Sequence, residues 1–251
     1  MSRVERERDA NKMFLKIVEG SLRQKSHEGH PEARKRDWTV GGESGTTWEI
    51  ASPAAFGRIV DISFYEGDSN GRKFTSLNIE LDPNEDGKSP VITTGIDTKY
   101  AQAFLKMLPN IDLSEEVRIR PYSYLKDGDE YNTVGVEVLT RDNQDKFTKR
   151  VEDFFYDWEK REEKNGYPKP PKSKDDMTSK DWKRYFEDAN EFVIEYVKNH
   201  VIPQFSKETA TTGKIERSTP IESDPSKEID DAFDAAFEAR ESKKNTDEPP
   251  F

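Results

Sequence analysis

Between Glu116 and Lys126 the chain alternates two kinds of side chain. Val117, Ile119, Pro121, Ser123 and Leu125 share one parity, and Arg118, Arg120, Tyr122, Tyr124 and Lys126 share the other. Successive residues of a strand point to opposite faces, so one face meets a core while the other carries cations interleaved with flat rings. Cations follow phosphates, and unpaired bases stack on rings at roughly 1–3 kcal/mol each, which suits a single polynucleotide strand. Duplex DNA keeps its base faces inside the stack and has no use for such rings.

Neighbouring runs share this pattern. Leu77, Ile79 and Leu81 face inward and leave Phe74 outward; Val134, Val136 and Val138 face inward and leave Tyr131 outward. With continuous outer faces, Phe74, Tyr122, Tyr124 and Tyr131 form a platform edged by Arg72, Lys73, Arg118, Arg120 and Lys126. The competing expectation has the rings packed under flanking helices and the arginines paired with Glu and Asp.

The elements that must position these residues are read from periodicity. From Phe56 to Thr140 the pattern has period two, with turn residues between β-branched and aromatic runs. It predicts strands over Arg58–Tyr65, Lys73–Leu81, Pro90–Ile96, Glu116–Lys126 and Tyr131–Thr140, the last two joined by a turn at Asp127 and Gly128. Thr98–Leu108 has helical spacing and stops at Pro109. Three strands, a helix and two strands is the order of the five-stranded Greek-key barrel called the OB-fold, although a small mixed α+β sheet gives the same string. The expected fold is therefore mainly β with helical additions, an OB-fold-like barrel with helices before and after it.

Around this core (residues 51–140), residues 1–50 are expected to hold a helix and a loop. Val4, Met13, Phe14, Ile17, Val18 and Leu22 fit an amphipathic helix from Asn11 onward, and Ser26–Arg36 reads as a loop before Trp38 and Trp48. Residues 141–205 are expected to be a helical extension packed on the core. It comprises a helix over Phe147–Lys164, a Pro/Lys-rich linker over Gly166–Lys174, and a helix over Trp182–Phe205. Residues 206–251 are expected to be a disordered linker and acidic tail.

The formal net charge of −11 argues against a polyanion ligand only if it is evenly spread. Ile221–Phe251 carries ten acidic and four basic residues, a net of −6, so more than half of the excess lies there. The sequence runs out through Asp247, Glu248, Pro249, Pro250 and Phe251. An acidic segment closing on Pro-Phe resembles the tails of bacterial and phage single-stranded DNA-binding proteins. That resemblance implies a sequence-tolerant binder of single-stranded DNA in replication, recombination or repair, which is not an enzyme. It also implies that Asp247–Phe251 dock partner proteins such as a polymerase, helicase or primase, the ring entering an apolar pocket and the acids meeting basic residues. The alternative function is a replisome or recombination adaptor whose barrel binds protein.

Other chemistries find little footing. Asp82, Asn84, Asp86 and Gly87 open like a calcium loop, but its twelfth position is Thr93, so a polar hairpin turn is expected. His27, His30 and His200 have no third ligand at a suitable spacing, cysteine is absent, and no metal or cofactor is expected. No nucleophile elbow, kinase set or deaminase signature is present. With no apolar run long enough for a bilayer and a charged start over Met1–Asp9, a cytoplasmic protein with no membrane partner is expected, that of a bacterium or of a phage host. The oligomeric state is left open, a homo-oligomer included.

Overall fold

A computed structural model describes residues 11–208 apart from 41–42, 70 and 129. The fold is mainly β. Its strands are β1 (Lys12–Val18), β2 (Ser21–Ser26), β3 (Arg34–Val40), β4 (Glu43–Ser52), β5 (Ala55–Ser69), β6 (Arg72–Leu81), β7 (Ser89–Gly95), β8 (Glu116–Leu125), β9 (Asn132–Arg141), β10 (Phe147–Arg150), β11 (Tyr156–Asp157) and β12 (Glu162–Glu163). Helix α1 (Lys99–Met107) lies between β7 and β8, and α2 (Ser179–His200) and α3 (Ile202–Glu208) follow the strands.

Ten strands form one open sheet in the order β10-β9-β8-β5-β6-β7-β1-β2-β4-β3. The strands expected from Phe56 to Thr140 are present, but they do not close into a barrel. The free edge of β7 pairs in parallel with β1, Lys12–Lys16 alongside Ser89–Thr93, and the outer edge of β9 is taken by β10.

The N-terminal helix expected from Asn11 is instead the β1–β2 hairpin. Val18 pairs with Ser21 across a two-residue turn in which Glu19 and Gly20 have φ of 51° and 77°. Positive φ at both central residues is the requirement of a hairpin turn whose twist matches its strands. The spacing that mimics a helix also serves as alternation, because Leu15, Ile17 and Leu22 enter the core. Trp38 and Trp48, expected beyond a loop, lie on β3 and β4.

One row of side chains displays the inner face. Ile62, Ile79, Ile92 and Leu15 stand in register across β5, β6, β7 and β1, each 5% exposed or less. The adjacent row, Ser63, Asn78, Thr93, Lys16 and Arg23, faces the other way. Helix α1, capped by Thr98, buries Tyr100, Ala101, Phe104 and Leu105 against the inner face.

The helix expected over Phe147–Lys164 is also absent. Phe147–Arg150 is the edge strand β10, and the following carboxylates bond to nearby backbone. Asp153 accepts from Phe155 N–H at 2.7 Å, and Asp157 accepts from Glu159 and Lys160 N–H at 3.0 Å each. Such side-chain acceptors offer the backbone an alternative to a helical ladder. Phe155 is buried among Phe154, Tyr167, Phe192 and Tyr196, with ring centroids 5.1–5.8 Å away. Helix α2, close to its expected span, starts with a capping box between Thr178 and Asp181 and turns Tyr185, Ala189, Val193 and Val197 inward. Burial under it pushes the Lys106 ammonium down and the Tyr167 phenol up to about 12, with Lys106 Nζ 4.9 Å from the Tyr167 ring.

Candidate nucleic-acid interface

Strand β8 follows its alternation. Val117 and Ile119 are fully buried and Pro121 is buried, so Arg118, Arg120, Tyr122 and Tyr124 project from the opposite face. Their partners on β9 are Leu139, Glu137, Gly135 and Thr133. The Tyr122 and Tyr124 rings lie 5.9 Å apart and 33° from parallel, and Tyr124 is 51% exposed. Beyond the strand, Lys126 and Tyr131 are exposed on the hairpin to β9. The backbone here pairs with β9 from Val117 to Leu125, so the rings stand on a strand held within the sheet.

The arginines divide. Arg120 meets Glu137 at 2.6 Å, which fulfils the competing expectation of ion pairing at that position. Arg118 lies over the Phe56 ring, 5.6 Å from its centroid, and Phe56 is its register partner on β5. Phe56 packs edge-on against Phe147 at 5.4 Å, and Arg141 covers Phe147 at 4.4 Å while bonding Glu116. Phe56 and Phe147 were outside the expected site. Phe56 was the first residue of the strand-forming region, and its alternation with Arg58 was the available signal; Phe147 was hidden by the helical reading of its segment.

Phe74 and Lys73 stand at the start of β6, which Arg72 opens. Phe74 packs beside Tyr65 at 6.0 Å, and Lys73 is exposed. These residues are not brought together with the β8 tyrosines. Ala55–Arg58 of β5 pair with Ile119–Glu116, so β8 runs on past Ala55 toward Tyr122, whereas Phe74 pairs with Gly67 near the opposite end of β5. At roughly 3.3 Å per residue the two ring groups are separated by most of the length of a long strand. The expected continuous platform is thus two aromatic groups on one sheet face.

Asp82, Asn84, Asp86 and Gly87 form the polar turn expected of them. Asn84 Oδ1 accepts from Asp86 and Lys88 N–H, and Asp82 Oδ1 accepts from Arg58 N–H at 2.8 Å. Asp247, Glu248, Pro249, Pro250 and Phe251 lie outside the described residues. No helix among the described residues is long and apolar enough to cross a membrane. Comparison with protein-family models, with curated proteins and with solved structures finds no match to this chain.

Proposed function

We propose that this protein binds single-stranded nucleic acid, DNA in the first instance, without sequence preference and without catalysis. The reading rests on Tyr122 and Tyr124, two neighbouring rings held outward on a strand whose other face buries Val117, Ile119 and Pro121. Rings so placed offer π-faces to any unpaired base; Arg118 shares their face and Lys126 follows the strand to meet the phosphates, whereas Lys73 has the parity of buried Leu77 and Ile79 and can reach a strand only from the edge of the sheet.

The sheet order supports it. Strands β9-β8-β5-β6-β7, with α1 between β7 and β8 in the chain, follow the neighbour order of an OB-type body without its closing pair, β7 with β9. Such bodies take oligonucleotides on their second and third strands and on the loops after the first and before the fifth. On that mapping Lys73 and Phe74 flank one loop, and Tyr122, Tyr124, Lys126 and Tyr131 flank the other. The separation of the two groups then spans the ligand path between them. Recruitment of replication or recombination proteins by Asp247–Phe251 belongs to the same proposal, as does the likeness to single-stranded DNA-binding proteins.

Anisotropy titration of a labelled oligo-dT tests the reading. Binding is expected at low salt, with affinity falling linearly in log–log form as salt rises. Combining Tyr122→Ala with Tyr124→Ala is expected to weaken it at least about tenfold. A wild-type chain that ignores oligo-dT at low salt refutes the reading in favour of a protein-binding adaptor.

A further inference from the structure

Glycine is disfavoured inside strands, where it weakens the ladder and often marks the close approach of another group. Three strand glycines here have one thing in common. Gly45 pairs with Trp38 across β3 and β4, Gly67 with Phe74 across β5 and β6, and Gly135 with Tyr122 across β8 and β9. In each case the ring lies over its glycine. A Cβ would come within 2.3 Å of the Trp38 ring at Gly45, 2.3 Å of the Phe74 ring at Gly67, and 2.5 Å of the Tyr122 hydroxyl at Gly135.

All three seats occupy the same face of the sheet. Register carries Ser63 through Asn78, Thr93 and Lys16 to Arg23, the row opposite in parity to the buried isoleucines. Two residues along β5 from Ser63 and Tyr65 comes Gly67. Two residues along β2 from Arg23 comes Lys25, which leads through Glu49 to Arg34, and from Arg34 alternation reaches Arg36 and Trp38. Tyr122 shares the parity of Arg118, opposite to buried Val117 and Ile119. An arginine also stands two residues before every ring: Arg36, Arg72 and Arg120. Arg36 and Arg120 are each held by a carboxylate of the adjacent strand, Glu49 at 3.4 Å and Glu137 at 2.6 Å.

The seats on Gly67 and Gly135 belong to the interface already described. The third lies on the β3–β4 ribbon, far along the sheet. Resting on the proposed function, we infer that the β3–β4 ribbon is a further part of the single-strand surface, with Trp38 on Gly45 as a base-stacking position equivalent to Tyr122 on Gly135. A ring packed over a glycine is restricted in orientation, and an arginine one step along the same strand face suits the phosphate of the stacked nucleotide. The occupant is a single strand with unpaired bases. A duplex would meet the arginines but not the rings.

The test uses the full chain, a short oligo-dT and one long enough to cross the sheet. Trp38→Ala and Gly45→Ala are expected to weaken long oligo-dT about 5- to 150-fold, as loss of one stacked base implies, and to leave the short one nearly unchanged. Trp38→Phe keeps a ring, so it should retain affinity while losing much of the tryptophan quench that oligo-dT produces. If Trp38→Ala fails to fold, that quench decides. Wild-type affinity for long oligo-dT in both Trp38→Ala and Gly45→Ala, or an undiminished quench in Trp38→Phe, would overturn the inference and leave the seat as cross-strand packing alone. Absence of any wild-type binding would instead strike at the proposed function.

Discussion

Gly20 rests against the backbone of Ser123, so near that a Cβ on Gly20 would stand 2.3 Å from the Ser123 nitrogen. No ladder joins these strands, yet the tip of the β1–β2 hairpin is seated on β8 between Tyr122 and Tyr124. The open sheet therefore curls back upon the strand that carries the exposed rings. Gly20→Ala must strain a φ of 77° and displace this contact, an expected cost of about 1–3 kcal/mol in urea unfolding. Gly29→Ala, with φ of 90° but nothing within 4 Å, carries only the backbone part and is expected to cost less. Equal losses in the two variants would mean that the contact with Ser123 contributes nothing.

The ion pair between Arg120 and Glu137 restrains a cation of the candidate interface. Glu137→Gln leaves Arg120 in place without its carboxylate and adds one positive charge to the face. Oligo-dT affinity is expected to rise, and the slope of log affinity against log salt to steepen by about 0.7, the contribution of one more phosphate contact on a single strand. Thermal stability should change little, since an ion pair at the surface contributes about 0–1 kcal/mol, although Glu137 itself is half-buried. Unaltered affinity and slope would show that Arg120 does not meet the ligand.

Phe155 and Trp158 lie three residues apart and have opposite fates, 1% and 72% exposed. Phe155→Ala opens the aromatic cluster that fastens α2 to the sheet, and a loss of about 3–5 kcal/mol is expected in chemical unfolding. Trp158→Ala should fall within about 0.5 kcal/mol of the wild type. Comparable losses would restore a helix burying both residues.

The start of α2 is sensitive to acid. Hydrogen bonding to Lys172 and then to Thr178 lowers the Asp181 carboxyl from its ordinary 3.8 to about 2. A carboxyl whose folded pKa is depressed stabilises the fold above its unfolded value, and that contribution is lost as pH falls toward about 2. The stability difference between wild type and Asp181→Asn, followed by circular dichroism at 222 nm, should therefore be present at pH 5 and shrink between about pH 4 and 2. A difference that does not vary with pH would exclude Asp181 as its source. Thr178→Ala, which removes the other half of the capping box, is expected to cost about 1 kcal/mol at neutral pH.

Local periodicity by itself determined β5 through β9, α1 and most of α2, because alternation, helical spacing and turn residues are properties of neighbouring positions. It also determined which face of β8 carries Arg118, Arg120, Tyr122 and Tyr124, since burying Val117 and Ile119 leaves no other choice. Tertiary structure decided the rest. Asn11–Leu22 is compatible with a helix or a hairpin, and the available edge of β7, more than seventy residues along the chain, selects the strand. Closure of the five central strands fails for the same reason, as β1 occupies that edge. Pairing of Arg120 with Glu137, of Arg118 with Phe56, and the seating of Trp38, Phe74 and Tyr122 on glycines all depend on register between strands. Register is set by the joint burial of distant apolar residues, a quantity that no single stretch of sequence contains.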